Sequence, residues 1–366
     1  MVQLPRPPFR ADQVGSLLRP AALREARQRA LRGEIDAAAL RAAEDDAIRD
    51  CVRRQEAVGL QAVTDGEFRR DWWHIDFLAA LDGVSAVSDP DTPAFHGGES
   101  VPVLHVTGAV RRSRPVMGEA FAFLRGATAR TAKLTIPSPA MLHLRGGRPA
   151  IDRAAYPDLA GFWADTARAY REEIAQLAAA GCTYLQMDDV SFAYLCDARI
   201  RDGFRQRGDD PEAAPRAYVD AFNACVRERP AGMAVTVHTC RGNFKSTWMA
   251  EGGYEPVAEA VFGGLDVDGF FLEYDSTRAG GFEPLRFVPR GRKVVLGLVT
   301  TKSPALEKAD DLKRRIDEAA RHIPLEDLCL SPQCGFSSTH HGNALTEDDQ
   351  WRKLELIVRV AEAVWG

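Results

Sequence analysis

Apolar residues along the chain fall into two alternating patterns. Short apolar, β-rich runs occur at 12–17 (DQVGSL), 61–66 (QAVTDG), 132–137 (AKLTIP), 183–188 (TYLQMD), 233–239 (MAVTVHT), 268–273 (DGFFLE), 293–299 (KVVLGLV) and 327–333 (DLCLSPQ). Between them, at 37–58, 159–180, 211–228, 307–322 and 347–364, apolar residues recur every three or four positions, which lays one stripe along a helix. Strand runs alternating with amphipathic helices are the signal of parallel βαβ units. Eight such runs predict an α/β fold, a single (β/α)8 TIM barrel spanning 1–366. From about 80 to 130 the alternation gives way to Gly, Pro, Ser and Asp, and the run SVPVLHVTGAV predicts a hairpin in a segment inserted after strand two. No internal repeat and no low-complexity tract is visible.

Composition narrows the function classes. The 366 residues, 45% of them hydrophobic, suffice for a full core. The net charge of −5 is small for that length, and the Arg-rich run LREARQRALRG (23–33) alternates with Ala and Leu as a solvated helix face would. No basic patch interleaved with aromatics points to nucleic acid. The start, MVQLPRPPFRADQ, lacks a signal-peptide apolar core, and no run of about 18 apolar residues suggests a membrane span, so a cytoplasmic protein is expected. Seven cysteines scattered through a long chain predict thiols or metal ligands rather than a disulfide framework.

A barrel of this kind gathers its chemistry where the strands end. After the fifth run stand His238 and Cys240, two apart and so on one side of an extended chain. Glu273 closes the apolar run FFLE, and Cys334 follows the eighth run, just before a glycine. A histidine beside a cysteine also reads as a core pair. Two thiols, an imidazole and a carboxylate at three strand ends make a zinc set by ligand type, since thiolates disfavour magnesium and calcium. Glu67 and Asp188 end the second and fourth runs, where they can meet a substrate ammonium, and Ser16 in VGS can meet a carboxylate. The competing readings are a helix cap for Asp188 and Asp189 and a surface ion pair of Glu67 with Arg69 or Arg70.

HTC (238–240), FFLEYDS (270–276), SPQCGFSS (331–338), VGS (14–16), DGEF (65–68) and LQMDD (185–189) together resemble the catalytic barrel of cobalamin-independent methionine synthases, in the same order over nearly the whole chain, and most closely their single-barrel members. The resemblance implies a zinc-dependent methyltransferase with His238, Cys240, Glu273 and Cys334 as zinc ligands. Homocysteine would be the methyl acceptor, bound by Ser16, Glu67 and Asp188. The methyl donor would be folate-type, methylcobalamin or another methylated compound.

The chain also departs from the family's long form. It has no room for the second barrel that helps hold a polyglutamate tail. Where a proton-transferring histidine is expected, VTTKSP (299–304) offers Lys302, a candidate proton donor or anion contact. His143 stands where a tryptophan is expected, and Gln13 where short members often carry histidine. Lys302 and Arg19 favour an alternative acceptor, a sulfonated thiol as in epoxyalkane:coenzyme M transferases. A metal-free barrel related to uroporphyrinogen decarboxylase is the more distant alternative. Trp72, Trp73 and His74 read as pocket wall or core, His340 and His341 as further ligand candidates, and Cys51, Cys182, Cys196, Cys225 and Cys329 as buried small hydrophobes. Oligomeric state is not legible.

Overall fold

Seven of the eight predicted runs are strands of one sheet, most of them rich in Val, Leu, Ile, Phe or Tyr as suits a surface buried on both faces. In the computed structural model, which describes residues 6–87 and 101–366, the strands are β1 (Ala62–Val63), β2 (Asp82–Val87), β3 (Val103–Arg111), β4 (Thr131–Pro137), β5 (Tyr184–Asp189), β6 (Ala234–Thr239), β7 (Gly269–Glu273), β8 (Lys293–Val299) and β9 (Leu328–Pro332). The sheet is parallel and curled, in the order β1-β4-β5-β6-β7-β8-β9. This is a TIM-barrel-like α/β arrangement.

The predicted strand at 12–17 is corrected: it is not part of the ladder. Ala11 forms one parallel bridge with Leu330 of β9, and the Asp12 N–H donates to the Leu330 carbonyl at 3.0 Å. On the far side the Leu17 N–H donates to the Gly66 carbonyl at 3.0 Å and Thr64 Oγ1 to the Gly15 carbonyl at 2.6 Å. The segment thus runs between the two edge strands, but its polar side chains take hydrogen bonds that a ladder would use, as where Asp12 Oδ1 accepts from the Gln13 N–H at 2.8 Å. β1 is shorter than predicted for the same reason. The Gln55 side chain accepts from the Thr64 N–H (3.0 Å) and donates to the Thr64 carbonyl (2.8 Å), replacing a strand partner.

Between β1 and β4, β2 and β3 pair antiparallel with Val84 opposite Val106. The turn expected to join them falls on 88–100, outside the described residues. The five predicted helices are present as Ala37–Ala57, Leu159–Ala179, Ala214–Val226, Ala309–Ala319 and Glu347–Trp365. Their starts follow capping chemistry: Asp36 Oδ1 accepts from the Ala39 N–H at 2.8 Å, and Thr346 with Asp349 forms a capping box. Among the described residues no helix is long and apolar enough to cross a membrane. No disulfide joins the seven cysteines; Cys51, Cys182, Cys225 and Cys329 are buried and Cys196 is half-buried.

Inside the curl, Val14, Ala62, Tyr184, Ala234, Phe271, Val295 and Cys329 form an apolar layer. Into it projects Lys133, fully buried, with Nζ 3.1 Å from Asp12 Oδ1 and 4.0 Å from the Phe271 ring centroid. The carboxyl ends of β5 to β9 all open on the opposite side of this layer. There Asp188 stands beside His238, and Glu273 beside Gly297.

Candidate metal centre and its pocket

His238 lies on β6, Cys240 just past its end and Cys334 in the loop after β9; one ligand atom from each lies within 4.8 Å of the others, and all three residues are buried. The two sulfurs are 3.6 Å apart. Neither ring nitrogen of His238 has a hydrogen-bond partner among the described residues. The hydrogen bond shared by the two thiols pulls Cys334 well below its ordinary pKa despite burial, with His238 adding to the effect, and raises Cys240.

Gly297 is what lets the Cys334 loop in. A Cβ there would stand 2.7 Å from Gln333 Cα and 2.7 Å from the Leu272 carbonyl. Gln333 Oε1 accepts from the Thr301 N–H and hydroxyl, both at 2.8 Å. Asn243 Nδ2 donates to Thr301 Oγ1 (3.1 Å) and to the Gly335 carbonyl (2.9 Å). These contacts tie the loops after β6, β8 and β9 into one frame around the two thiols. Sequence reading did not single out Asn243, Thr301 or Gln333; their only signal is position, within a few residues of strand ends.

Glu273 is fully buried at the end of β7, and its carboxylate stands outside the three-residue cluster. Oε2 accepts from the Arg241 N–H at 2.6 Å and Oε1 from Arg278 at 3.0 Å. Burial pushes this carboxyl up, but Lys302, Arg241 and Arg278 outweigh it and hold it below the ordinary value. Lys302 Nζ lies 4.0 Å from Glu273 Oε1 and does not line the pocket in front of the thiols.

Ser16, Glu67 and Asp188 line the same pocket as His238, Cys240 and Cys334. Glu67 is a buried residue with φ 59°, its Oε1 accepting from Thr135 Oγ1 at 2.8 Å. Its nearest cation is the buried Arg70 at 3.8 Å, whereas Arg69 pairs with Glu44 and Asp45. Burial raises the Glu67 carboxyl and pushes Asp188 up to about 7, where Glu67 adds to the shift and His238 opposes it. The capping role falls to Asp189, whose Oδ1 accepts from the Ser191 hydroxyl (2.6 Å) and the Phe192 N–H (3.1 Å). Ser16 packs on Gly335 so closely that a Cβ there would meet its hydroxyl at 2.0 Å.

Trp72, Trp73, His74 and Phe244 form an aromatic part of the lining, with Trp72 stacked on Phe244 at 5.8 Å and 11°. His340 and His341 pack edge-on against Trp72 and are not in the metal cluster. Burial holds the His74 imidazole well below its ordinary value, so it lines the pocket as a neutral ring. Arg19 is used structurally: its guanidinium donates to the carbonyls of Ser337, Thr339, Glu67 and Arg70 and to the Ser337 hydroxyl. His143 bonds the Tyr218 hydroxyl at 2.9 Å and stands outside the pocket. Arg145 and Tyr194, not anticipated from sequence, also line it.

Residues 9–362 match the family described as the catalytic domain of cobalamin-independent synthase. The uncharacterized YxjH of Bacillus subtilis is 47% identical over 98% of this chain and 95% of its own length. The 5-methyltetrahydropteroyltriglutamate–homocysteine methyltransferase of Thermosynechococcus vestitus is 24% identical over 91% of this chain, which spans 41% of that protein. Among solved structures, a Listeria monocytogenes protein provisionally described as a vitamin-B12 independent methionine synthase superposes with a TM-score of 0.80 at 40% identity, covering 99% of this chain and all of that one. A B12-independent methionine synthase from Shewanella sp. W3-18-1, in complex with selenomethionine, superposes at 0.72 with 21% identity, covering 97% of each chain. The chain therefore belongs to the cobalamin-independent methionine synthase family and corresponds to its catalytic domain.

Proposed function

We propose that this chain is a zinc-dependent methyltransferase that methylates the thiol of homocysteine, on a (β/α)8 barrel closed by the segment 10–17. The observation that carries the reading is the pair of buried sulfurs 3.6 Å apart beside a buried imidazole with two unpartnered nitrogens. Tetrahedral zinc with Zn–S bonds of about 2.3 Å requires a sulfur separation of about 3.8 Å, so the donors fit the ion. His238, Cys240 and Cys334 would hold it, with Glu273 as the fourth ligand, oriented by Arg241 and Arg278 as outer partners commonly orient ligands. Bound there, zinc supplies a lowered pKa for the substrate thiol, so that it reacts as a thiolate at neutral pH.

The chain's own residues do the rest. Glu67 and Asp188 place negative charge in the pocket, where an ammonium restores the ionised form that burial disfavours. Ser16 offers a hydroxyl to the amino-acid carboxylate. The aromatic lining keeps water from the sulfur and presents a flat face to the methyl donor. Lys302 acts in this reading through Glu273, keeping that carboxylate ionised, since its amine faces Glu273 and not the pocket. The two features that favoured a sulfonated thiol, Arg19 and Lys302, are thus both turned away from the acceptor. The Shewanella neighbour's bound selenomethionine, a selenium analogue of the product proposed here, accords with homocysteine.

Two outcomes test this. Homocysteine, and not 2-mercaptoethanesulfonate, shifts the visible spectrum of the cobalt-substituted protein; the reverse preference contradicts the acceptor assignment. Glu67→Gln raises the KM for homocysteine by roughly tenfold to a hundredfold, the worth of one charge-assisted hydrogen bond, with a smaller change in kcat. An unchanged KM removes Glu67 from the ammonium site.

A further inference from the structure

Each of the two acids assigned to the substrate ammonium is held by a neutral side chain that does not itself line the pocket. Thr135 of β4 and Gln186 of β5 are register partners on adjacent parallel strands, and both are buried. The Thr135 hydroxyl donates to Glu67 Oε1 at 2.8 Å. Gln186 stands two residues before Asp188, so the two side chains share a face of the sheet, and its Nε2 donates to Asp188 Oδ1 at 2.7 Å and to the Val14 carbonyl. Both neighbours of that NH2 group are acceptors, which fixes the amide's orientation and leaves Oε1 buried with no hydrogen-bond partner among the described residues. An apolar side chain would avoid that cost, so the amide answers to the partners it orients. Gly15 completes the arrangement. A Cβ there would stand 2.7 Å from Thr135 Cγ2 and 2.8 Å from Glu67 Oε1, so glycine lets the segment that carries Ser16 close onto this pair.

A carboxylate with one oxygen engaged by a fixed donor has the other oxygen left for a ligand, and the donated hydrogen bond favours the ionised form that an ammonium needs. We infer that Thr135 and Gln186 are positioning residues that set Glu67 and Asp188 as a two-carboxylate clamp, and so make the pocket select thiols that carry an amine. The inference rests on the function proposed above and adds to it the residues that decide acceptor selectivity.

Calorimetric titration of the zinc-loaded protein with L-homocysteine and with 4-mercaptobutanoate, the same thiol without its amine, tests the clamp. The parent protein is expected to prefer homocysteine, since a site built to bind an amine rejects the analogue that lacks it. Thr135→Val, which trades the hydroxyl for a methyl group, is expected to weaken homocysteine binding by roughly fivefold to twentyfold and 4-mercaptobutanoate binding by less than about twofold. Gln186→Met is expected to act in the same direction. Thr135→Ser, which keeps the hydroxyl and loses the methyl group, retains the parent's preference, whereas a threonine needed only for packing would weaken both thiols alike and suffer more from serine than from valine. Equal losses for the two thiols in Thr135→Val, or an unchanged preference for homocysteine in that variant, overturn the inference and leave the proposed function standing. A parent protein that does not distinguish the two thiols strikes the ammonium site of the proposed function, and the clamp falls with it.

Discussion

Cys240→Ser and Cys334→Ser are each expected to reduce bound zinc from one per chain to a small fraction and to lower kcat/KM by well over about a hundredfold, beyond what loss of an outer ligand partner costs. Serine keeps the shape of cysteine but offers a hard, protonated oxygen where a soft thiolate is needed. The substitution removes a ligand without opening a cavity. Both cysteines sit in loops past strand ends, held by Asn243, Thr301 and Gln333 and not by the thiols themselves, so circular dichroism and thermal unfolding should report a folded protein. Either variant retaining full zinc and full activity would dismantle the centre.

The second large effect lies on the other side of the apolar layer. Asp12→Ala is expected to cost about 3–5 kcal/mol, because it strands the ammonium of Lys133 in an apolar interior. Lys133 is fully buried, and its partners are Asp12 Oδ1, the Gln13 carbonyl and the faces of Phe271 and Tyr184. Tyr184 in turn donates to Asp12 Oδ2 at 2.8 Å. Asp12 belongs to the segment that joins the edges of the sheet, so its loss also loosens that seam. Burial already lowers the Lys133 pKa even with Asp12 present. In the variant the depression deepens, and the unfolded chain binds more protons than the folded one at pH values between the two pKa values. Stability of the variant therefore rises with pH over that window, and the deficit narrows as pH passes from the variant's Lys133 pKa to the parent's, both below the ordinary lysine value. Urea unfolding at several pH values measures both effects. The double variant Asp12→Leu, Lys133→Met should recover most of the loss, since an apolar pair of similar volume replaces a buried ion pair at little cost. A deficit that grows with pH would contradict the account.

Strand identity was legible wherever a run was long, apolar and closed by a polar residue. β4 to β9 each lie within a residue or two of the predicted bounds because nothing competes with the ladder there. The two failures share a cause. At 12–17 and after Val63, polar side chains, Asp12, Gln13 and Gln55, supply hydrogen bonds that the pattern assigns to neighbouring strands. Side-chain partners many residues away leave no trace in local periodicity.

The site was legible in its residues but not in its orientations. His238, Cys240 and Cys334 announce themselves as strand-end ligand types, and the fold gathers them. Lys302 lies beside its strand end too, yet its amine is drawn toward Glu273 by charge, which spacing does not encode. Arg19 stands near the pocket but is consumed by carbonyls of two loops. Arg145 and Tyr194 reach the pocket from a long loop after β4 and a short helix after β5, where no ligand-type pattern marks them.

The central claim is that these side chains cage one zinc ion and leave it open to a substrate sulfur, and X-ray absorption at the zinc edge tests it most directly. The account predicts one zinc per chain with two sulfur neighbours at about 2.3 Å and two nitrogen or oxygen neighbours at about 2.0–2.2 Å. Adding homocysteine should raise the sulfur count to three. A zinc site without two sulfurs, or a sulfur count that homocysteine leaves at two, would contradict it.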